Sequence, residues 1–383
     1  MNGKLPDGWE EKTLGECFKL KSGDNLTSKM MGGNGKFPVY GGNGIAGMYN
    51  KFNLSGSNII IGRVGALCGN VRHIKEEIWL TDNAFKITDS KYHFDHAFLT
   101  YLLNFKNLRS YARQAAQPVI SNSSLEDVLL QFPKSEEEQQ RIVAILDEAF
   151  AAIATAKENA EKNLQNAREL FESYLQSVFA NPGDGWEVKK MGEVCGFTRG
   201  PFGGSLKKAI FKKDGYAVYE QAHAIYSQFN DVRYFIDGDK FKEMQRFELN
   251  SGDLIMSCSG TMGKVAIVPE NIKRGIINQA LLRLAPTKKI SNVFLKLWME
   301  SENFQESLKA YSQGAAIQNV ASVKILKEIK MPVPPIPEQR AIVAKLDALS
   351  AETKKLEAIY RQKLADLDEL KKSVLQKAFD GEL

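Results

Sequence analysis

At 383 residues the chain has room for two to three domains of roughly 100–200 residues each. Its 43% hydrophobic and 25% charged residues are those of an ordinary globular chain, and no run approaches the roughly 18 consecutive apolar residues of a membrane span. The net charge of +5 is too mild to name a partner, so where it sits along the chain matters more.

The opening Met1-Asn2-Gly3-Lys4-Leu5-Pro6 lacks the apolar core of a secretory signal. Cys17, Cys68, Cys195 and Cys258 lie far apart with no Cys-x-x-Cys pair, against both a zinc cluster and a disulfide scaffold. Free thiols and no export signal favour the cytoplasm.

Residues 1–137 carry 16 basic and 14 acidic side chains. They open on Pro6-Asp7-Gly8-Trp9-Glu10 and Leu14-Gly15-Glu16. A β-type run, Ser57-Asn58-Ile59-Ile60-Ile61-Gly62, leads into the turn Gly65-Ala66-Leu67-Cys68-Gly69. Asp82-Asn83-Ala84 precedes a further strand, and a helical stretch lies near residues 95–111. Residues 138–180 carry 4 basic and 7 acidic groups and form a long helix. Ile142, Leu146, Ala149, Ile153, Ala156, Ala160, Ala167, Leu170, Tyr174 and Val178 keep 4-3 spacing, with Asn163 the break.

The pattern then starts again. Asn181-Pro182-Gly183 is a linker turn, Gly183-Asp184-Gly185-Trp186-Glu187 repeats the opening, and Met191-Gly192-Glu193 follows it. Residues 181–337 carry 22 basic and 16 acidic groups. Their run Gly252-Asp253-Leu254-Ile255-Met256 precedes the turn Gly260-Thr261-Met262-Gly263 and then Asn278-Gln279-Ala280, with a helical stretch near 292–310. Pro332, Pro334, Pro335 and Pro337 end this segment. Residues 338–383 supply a second long helix. Its stripe is Ile342, Leu346, Leu349, Leu356, Tyr360, Leu367, Leu370 and Val374, with Thr353 and Lys363 as breaks.

The two helices match without gaps at an offset of 200: Glu138-Gln139, Ile142-Val143-Ala144 and Leu146-Asp147 on Glu338-Gln339, Ile342-Val343-Ala344 and Leu346-Asp347. At the same offset Ser173, Leu175, Gln176 and Phe179 match Ser373, Leu375, Gln376 and Phe379. A helix this long with so narrow an apolar stripe needs a partner, and the repeat supplies one within the chain. The expected fold is therefore α+β: two mixed α/β domains held apart by an antiparallel coiled coil of two long helices. An internal pseudo-two-fold repeat relates the halves and brings the two chain ends together beside the first domain.

Strings that suggest catalysis are incomplete. Gly42-Asn43-Gly44-Ile45-Ala46-Gly47 fits Gly-x-Gly-x-x-Gly but runs on into β-type sequence instead of a helix. Gly260-Thr261-Met262-Gly263-Lys264 resembles a phosphate loop, yet Cys258 stands at its first glycine and Val265 where Ser or Thr should bind magnesium. Asp147-Glu148 sits inside the coiled coil, and His93-Phe94-Asp95-His96 lacks a third metal ligand. The chain reads as non-catalytic, with no metal site and no cofactor of its own.

The resemblance becomes specific at Pro334-Pro335-Ile336-Pro337-Glu338-Gln339, which resembles the proline-rich, Glu-Gln start of the spacer helices in type I restriction–modification specificity subunits. Gly185-Trp186-Glu187 is similar to the start of their target recognition domains. Phe37-Pro38-Val39-Tyr40-Gly41-Gly42-Asn43-Gly44-Ile45 and Gly200-Pro201-Phe202-Gly203-Gly204-Ser205 resemble two of their loop types. The likeness implies target recognition domains at 1–137 and 181–337 and spacer helices at 138–180 and 338–383. It further implies a subunit that binds double-stranded DNA at a bipartite, asymmetric target. Such a subunit docks two methyltransferase subunits, which use S-adenosylmethionine, and through them restriction subunits; no membrane is involved.

Base readout calls for Arg, Lys, Asn and Gln, and phosphate contacts for Lys, Arg or Ser. The candidates are Lys36, Tyr40, Asn43, Arg63 and Arg72 in the first domain. In the second they are Arg199, Ser205, Lys207, Lys208, Gln221 and Lys264. Two other classes remain open: a stand-alone DNA-binding regulator or decoy, and a coiled-coil protein adaptor.

Overall fold

A computed structural model describes residues 5–32, 34–113, 117–310 and 322–383. Met1–Lys4 of the opening stretch lie outside the described residues. The chain divides into two compact units: residues 1–161 with 361–383, and residues 162–360.

In the first unit, strand Trp9–Thr13 pairs antiparallel with Leu129–Pro133. The main sheet has four antiparallel strands in the order Lys19–Ser22, Ala84–Thr88, Asn58–Gly62, Val71–Ile74. A second sheet places Phe37–Gly41 between Gly44–Tyr49, antiparallel, and Trp79–Leu80, parallel. The β-branched run Ile59–Ile61 is buried on both faces. Helix His96–Phe105 supplies Phe98, Leu99, Leu102 and Leu103 to the same core, each worth about 1.5–3 kcal/mol relative to exposure.

The second unit repeats this plan. Glu187–Lys190 pairs with Lys330–Val333. Four antiparallel strands run in the order Cys195–Arg199, Leu281–Pro286, Leu254–Ser257, Val265–Ile267. Tyr216–Tyr219 lies between Phe235–Ile236, antiparallel, and Gly275–Ile277, parallel. Helix Asn292–Glu300 buries Phe294, Leu295, Trp298 and Met299. The repeated Gly-Glu dipeptide has a local reason. Glu16 accepts the Thr13 N–H at 2.7 Å and Glu193 the Lys190 N–H at 2.6 Å, each at the start of a one-turn helix.

The two long helices are Glu136–Ala180 and Ile336–Phe379. Each unit holds a segment of both. In the first unit Lys157 pairs with Asp368, and Lys371 lies 4.8 Å from the Phe150 ring centroid. In the second, Arg168 pairs with Glu357 at 3.4 Å, and Lys345 lies 4.7 Å from the Tyr174 ring. Residue numbers fall on one helix as they rise on the other, so the segments pack antiparallel within each unit. The carboxyl-terminal residues of the first unit reach back to its start: Arg141 donates to the Leu383 carbonyl at 2.6 Å, and Gly381 lies against Pro6.

The buried stripe differs from strict 4-3 spacing. Ile142, Leu146, Ile153, Ala160 and Ala167 are buried as expected, but Leu170 is 49% exposed, and Leu175 and Phe179 take the inner face. A helix of 3.6 residues per turn drifts about 20° per heptad, which moves the stripe by one residue over this length. Leu356 and Leu370 are likewise exposed. Thr353, expected as a break, is buried, and its hydroxyl is satisfied by the Ser350 carbonyl at 3.1 Å. Among the described residues no helix is long and apolar enough to cross a membrane.

Candidate nucleic-acid interface

In the first unit three backbone segments meet at one edge of the sheets. The Thr81 N–H donates to the Tyr40 carbonyl at 2.9 Å, and the Arg63 N–H to the Asn83 carbonyl at 2.9 Å. Thr81 Oγ1 accepts the Asn83 N–H at 3.3 Å and shapes the turn. The hairpin between Phe37–Gly41 and Gly44–Tyr49 turns here, and Gly44 takes φ +102°, a conformation side chains resist. The glycine-rich string that suggested a dinucleotide site is this hairpin.

The second unit builds the same edge. Asn278 N–H donates to the Tyr219 carbonyl at 2.9 Å, and Cys258 N–H to the Ala280 carbonyl at 2.9 Å. Asn278 Oδ1 accepts the Ala280 N–H at 3.0 Å. Thr81 therefore corresponds to Asn278, one residue away from the match of Asp82 with Asn278 that the sequence suggested. The two residues share only a side-chain oxygen placed to accept from the second residue on, which no residue-type comparison reveals.

Tyr40, Asn43, Arg63 and Arg72 gather at the first edge. Asn43 is exposed at the hairpin tip, and its Oδ1 accepts the Leu67 N–H at 2.8 Å. The Arg72 guanidinium lies beside Gly44. Arg63 donates to the Asp82 carbonyl at 3.3 Å, while its Nε has no partner among the described residues. Tyr40 is 8% exposed and donates to Glu76 Oε1 at 3.3 Å; burial and then the Glu76 charge push its hydroxyl pKa up. Lys36 stands at the far end of the strand from Gly41, its Nζ 4.9 Å from the Phe37 ring.

At the second edge Arg199 ends its strand. Gln221 Nε2 donates to the Ser259 carbonyl at 2.5 Å and its Oε1 accepts the Ser259 N–H, which ties it to the same turn. Ser205 closes a 3-10 turn at Gly203–Ser205, and the exposed Lys207 and Lys208 follow. Lys264 is exposed at the end of the hairpin loop that suggested a phosphate site. Asn83 and Gln279, exposed on the same turns, were not among the candidates. Their only signal was position within the repeated turn.

The remaining strings have structural roles. Asp95 Oδ1 accepts the Phe98 N–H at 2.9 Å and caps helix His96–Phe105. Asp147 accepts the Tyr101 hydroxyl at 2.5 Å. Burial pushes the thiols of Cys17, Cys195 and Cys258 up to about 12, so at neutral pH they are not thiolates.

The model of the family described as type I restriction modification DNA specificity domain matches residues 6–164 and again residues 183–364. The chain is 31% identical over 172 residues to the EcoprrI type I restriction enzyme specificity subunit of Escherichia coli, a stretch covering 42% of each protein. It is 22% identical to the MjaVIII specificity subunit of Methanocaldococcus jannaschii across 100% of this chain and 95% of that one. Among solved structures, the HsdS subunit from Thermoanaerobacter tengcongensis shares the fold with a TM-score of 0.67 at 19% identity, covering 100% of this chain and 99% of that one. A chain from a type I R-M system structure, described for complex assembly and conformational transition, aligns over 100% of both with a TM-score of 0.74 at 19% identity.

Proposed function

The chain belongs to the type I restriction–modification DNA specificity family, and from this premise we propose that it reads a bipartite, asymmetric duplex target, one half-site for each unit. The subunit recognises DNA and leaves the chemistry to others. It docks two methyltransferase subunits in the cytoplasm, and these bring in restriction subunits. The recognition domains are taken as residues 1–137 and 181–337 and the spacer helices as 138–180 and 338–383.

The observation that carries this reading is the repeated edge with unlike side chains. The same backbone bonds join strand ends and turns in both units, so the scaffold is shared. Asn43, Arg63 and Arg72 stand on one edge, where Arg199 and Gln221 stand on the other. Arg matches the O6 and N7 acceptors of guanine, while Gln221, with both amide ends on Ser259, shapes its turn; edges so unlike should read different bases. Lys207, Lys208 and Lys264 suit phosphate contacts, which fix register without carrying sequence.

The test replaces residues 1–137 by the corresponding domain of another family member and maps methylated sites with the methyltransferase present. One half-site should change and the other persist. Simultaneous change of both would sink the two-reader proposal.

A further inference from the structure

We propose that Phe202 is a wedge that inserts between two stacked base pairs in the half-site of the second unit. The inference rests on the reading of that unit as a duplex reader and adds a residue that acts by deforming DNA rather than by hydrogen bonding.

Phe202 is 93% exposed, more than any other large hydrophobic residue described. Its backbone is nevertheless pinned on both sides. Gly200 N–H donates to the Leu281 carbonyl at 3.0 Å, and a side chain at Gly200 would collide with the Asn278 carbonyl. Pro201 is buried, Ser205 N–H closes the turn onto the Phe202 carbonyl at 2.8 Å, and Leu206 is buried in the core. The phenyl ring stays in water on a backbone anchored next to the turn at Asn278.

The first unit shows what the loop is like without it. Gly23 N–H donates to the Ala84 carbonyl, as Gly200 does to Leu281. Leu26 and Leu206 are the matching buried residues, and 3-10 turns follow at Ser28–Met30 and Lys208–Ile210. Three residues separate Gly23 from Thr27, but six separate Gly200 from Lys207. The longer loop holds Phe202; the shorter one holds Asp24, bonded to Asn53 Nδ2 at 2.8 Å.

The charge of the segment favours an anionic occupant, although Lys212 in it pairs with Asp237 at 3.7 Å. Residues 194–213 include Arg199, Lys207, Lys208, Lys212 and Lys213 and no acidic residue. An exposed ring in a basic stretch of chain, with Lys207 and Lys208 exposed a few residues on, suits a polyanion with apolar faces between its charges. Apolar wedges of this kind unstack a base step and kink the duplex.

The test uses the full chain and a target duplex selected from a random pool, with single mismatches placed at successive steps. A mismatch lowers the unstacking cost, so it should tighten wild-type binding at one step of one half-site. Phe202→Ala should weaken binding to the perfect duplex about 10-fold and lose the mismatch gain, while Phe202→Leu keeps part of both. Thermal melting should not change, since the ring packs on nothing. Equal binding and equal mismatch response in wild type and Phe202→Ala would overturn the wedge. So would unchanged DNA binding with lost methyltransferase association, which would make the ring a protein contact. Failure of the wild-type chain to select any duplex would instead remove the duplex-reader reading itself.

Discussion

Gln139 and Gln339 make the same three hydrogen bonds, each in its own unit. Gln139 Oε1 accepts the Asp95 N–H at 2.8 Å, and its Nε2 donates to the carbonyls of His93 and Pro133. Gln339 Oε1 accepts the Ser291 N–H at 2.8 Å, and its Nε2 donates to Lys289 and Pro334. Both side chains are fully buried. Asp95 and Ser291 precede the short helices, so each glutamine ties a short helix to the first turn of a long one.

Gln139→Leu or Gln339→Leu should therefore destabilise its own unit by roughly 2–4 kcal/mol, because backbone groups are left buried without partners. Denaturant unfolding measures the loss. Hydrogen exchange at Asp95 or Ser291 should speed up in the matching variant alone, and unchanged exchange there would contradict the assignment.

Stability should fall as the pH drops below about 6.5, the ordinary histidine value. Ser57 Oγ lies 2.7 Å from both His73 Nε2 and His96 Nδ1, so the hydroxyl donates to one ring and accepts from the other. Burial, then His96 and Lys75, hold the His73 pKa below its usual value, while Asp95 opposes them. The unfolded state then takes up the proton first, and the contribution present at neutral pH is lost on acidification. His73→Gln should flatten the change in denaturation midpoint between pH 7.5 and 5.5. A slope as steep as wild type would refute this.

Lys207→Ala with Lys208→Ala should weaken binding to all duplexes and lower the salt slope by up to about two units. Both lysines are exposed and ion-pair with nothing among the described residues. Titrations at several salt concentrations decide it; an unchanged slope would return them to ordinary surface.

Lengthening both helices should widen the target. Four residues inserted after Ala160 and four after Tyr360 add roughly 6 Å, about two base pairs of rise. The half-site bases should stay the same, since no loop is touched. An active variant with an unaltered gap would show that the helices do not set spacing.

The helices were legible because a gapless repeat imposes one register on 43 residues; Gln139 and Gln339 belong to that repeat, but their buried bonds leave no separate mark in the sequence. The exposure of Leu170 was not legible, because the drift of a helix against its partner depends on packing. The shared turn could be placed only to within one residue, since Thr81 and Asn278 are alike in hydrogen bonding and not in residue type. At the candidate site, Arg63, Arg72 and Asn43, 9 to 29 residues apart, converge where the edges of two separate sheets meet, whereas Lys36 falls at the other end of its strand. Residue type suggested them all equally; only topology separates them.

The most direct measurement is the methylation map of a cell that expresses this chain with its methyltransferase. The account predicts one motif of two unlike half-sites separated by a fixed, unspecified gap. A single continuous motif, or two identical half-sites, would contradict it.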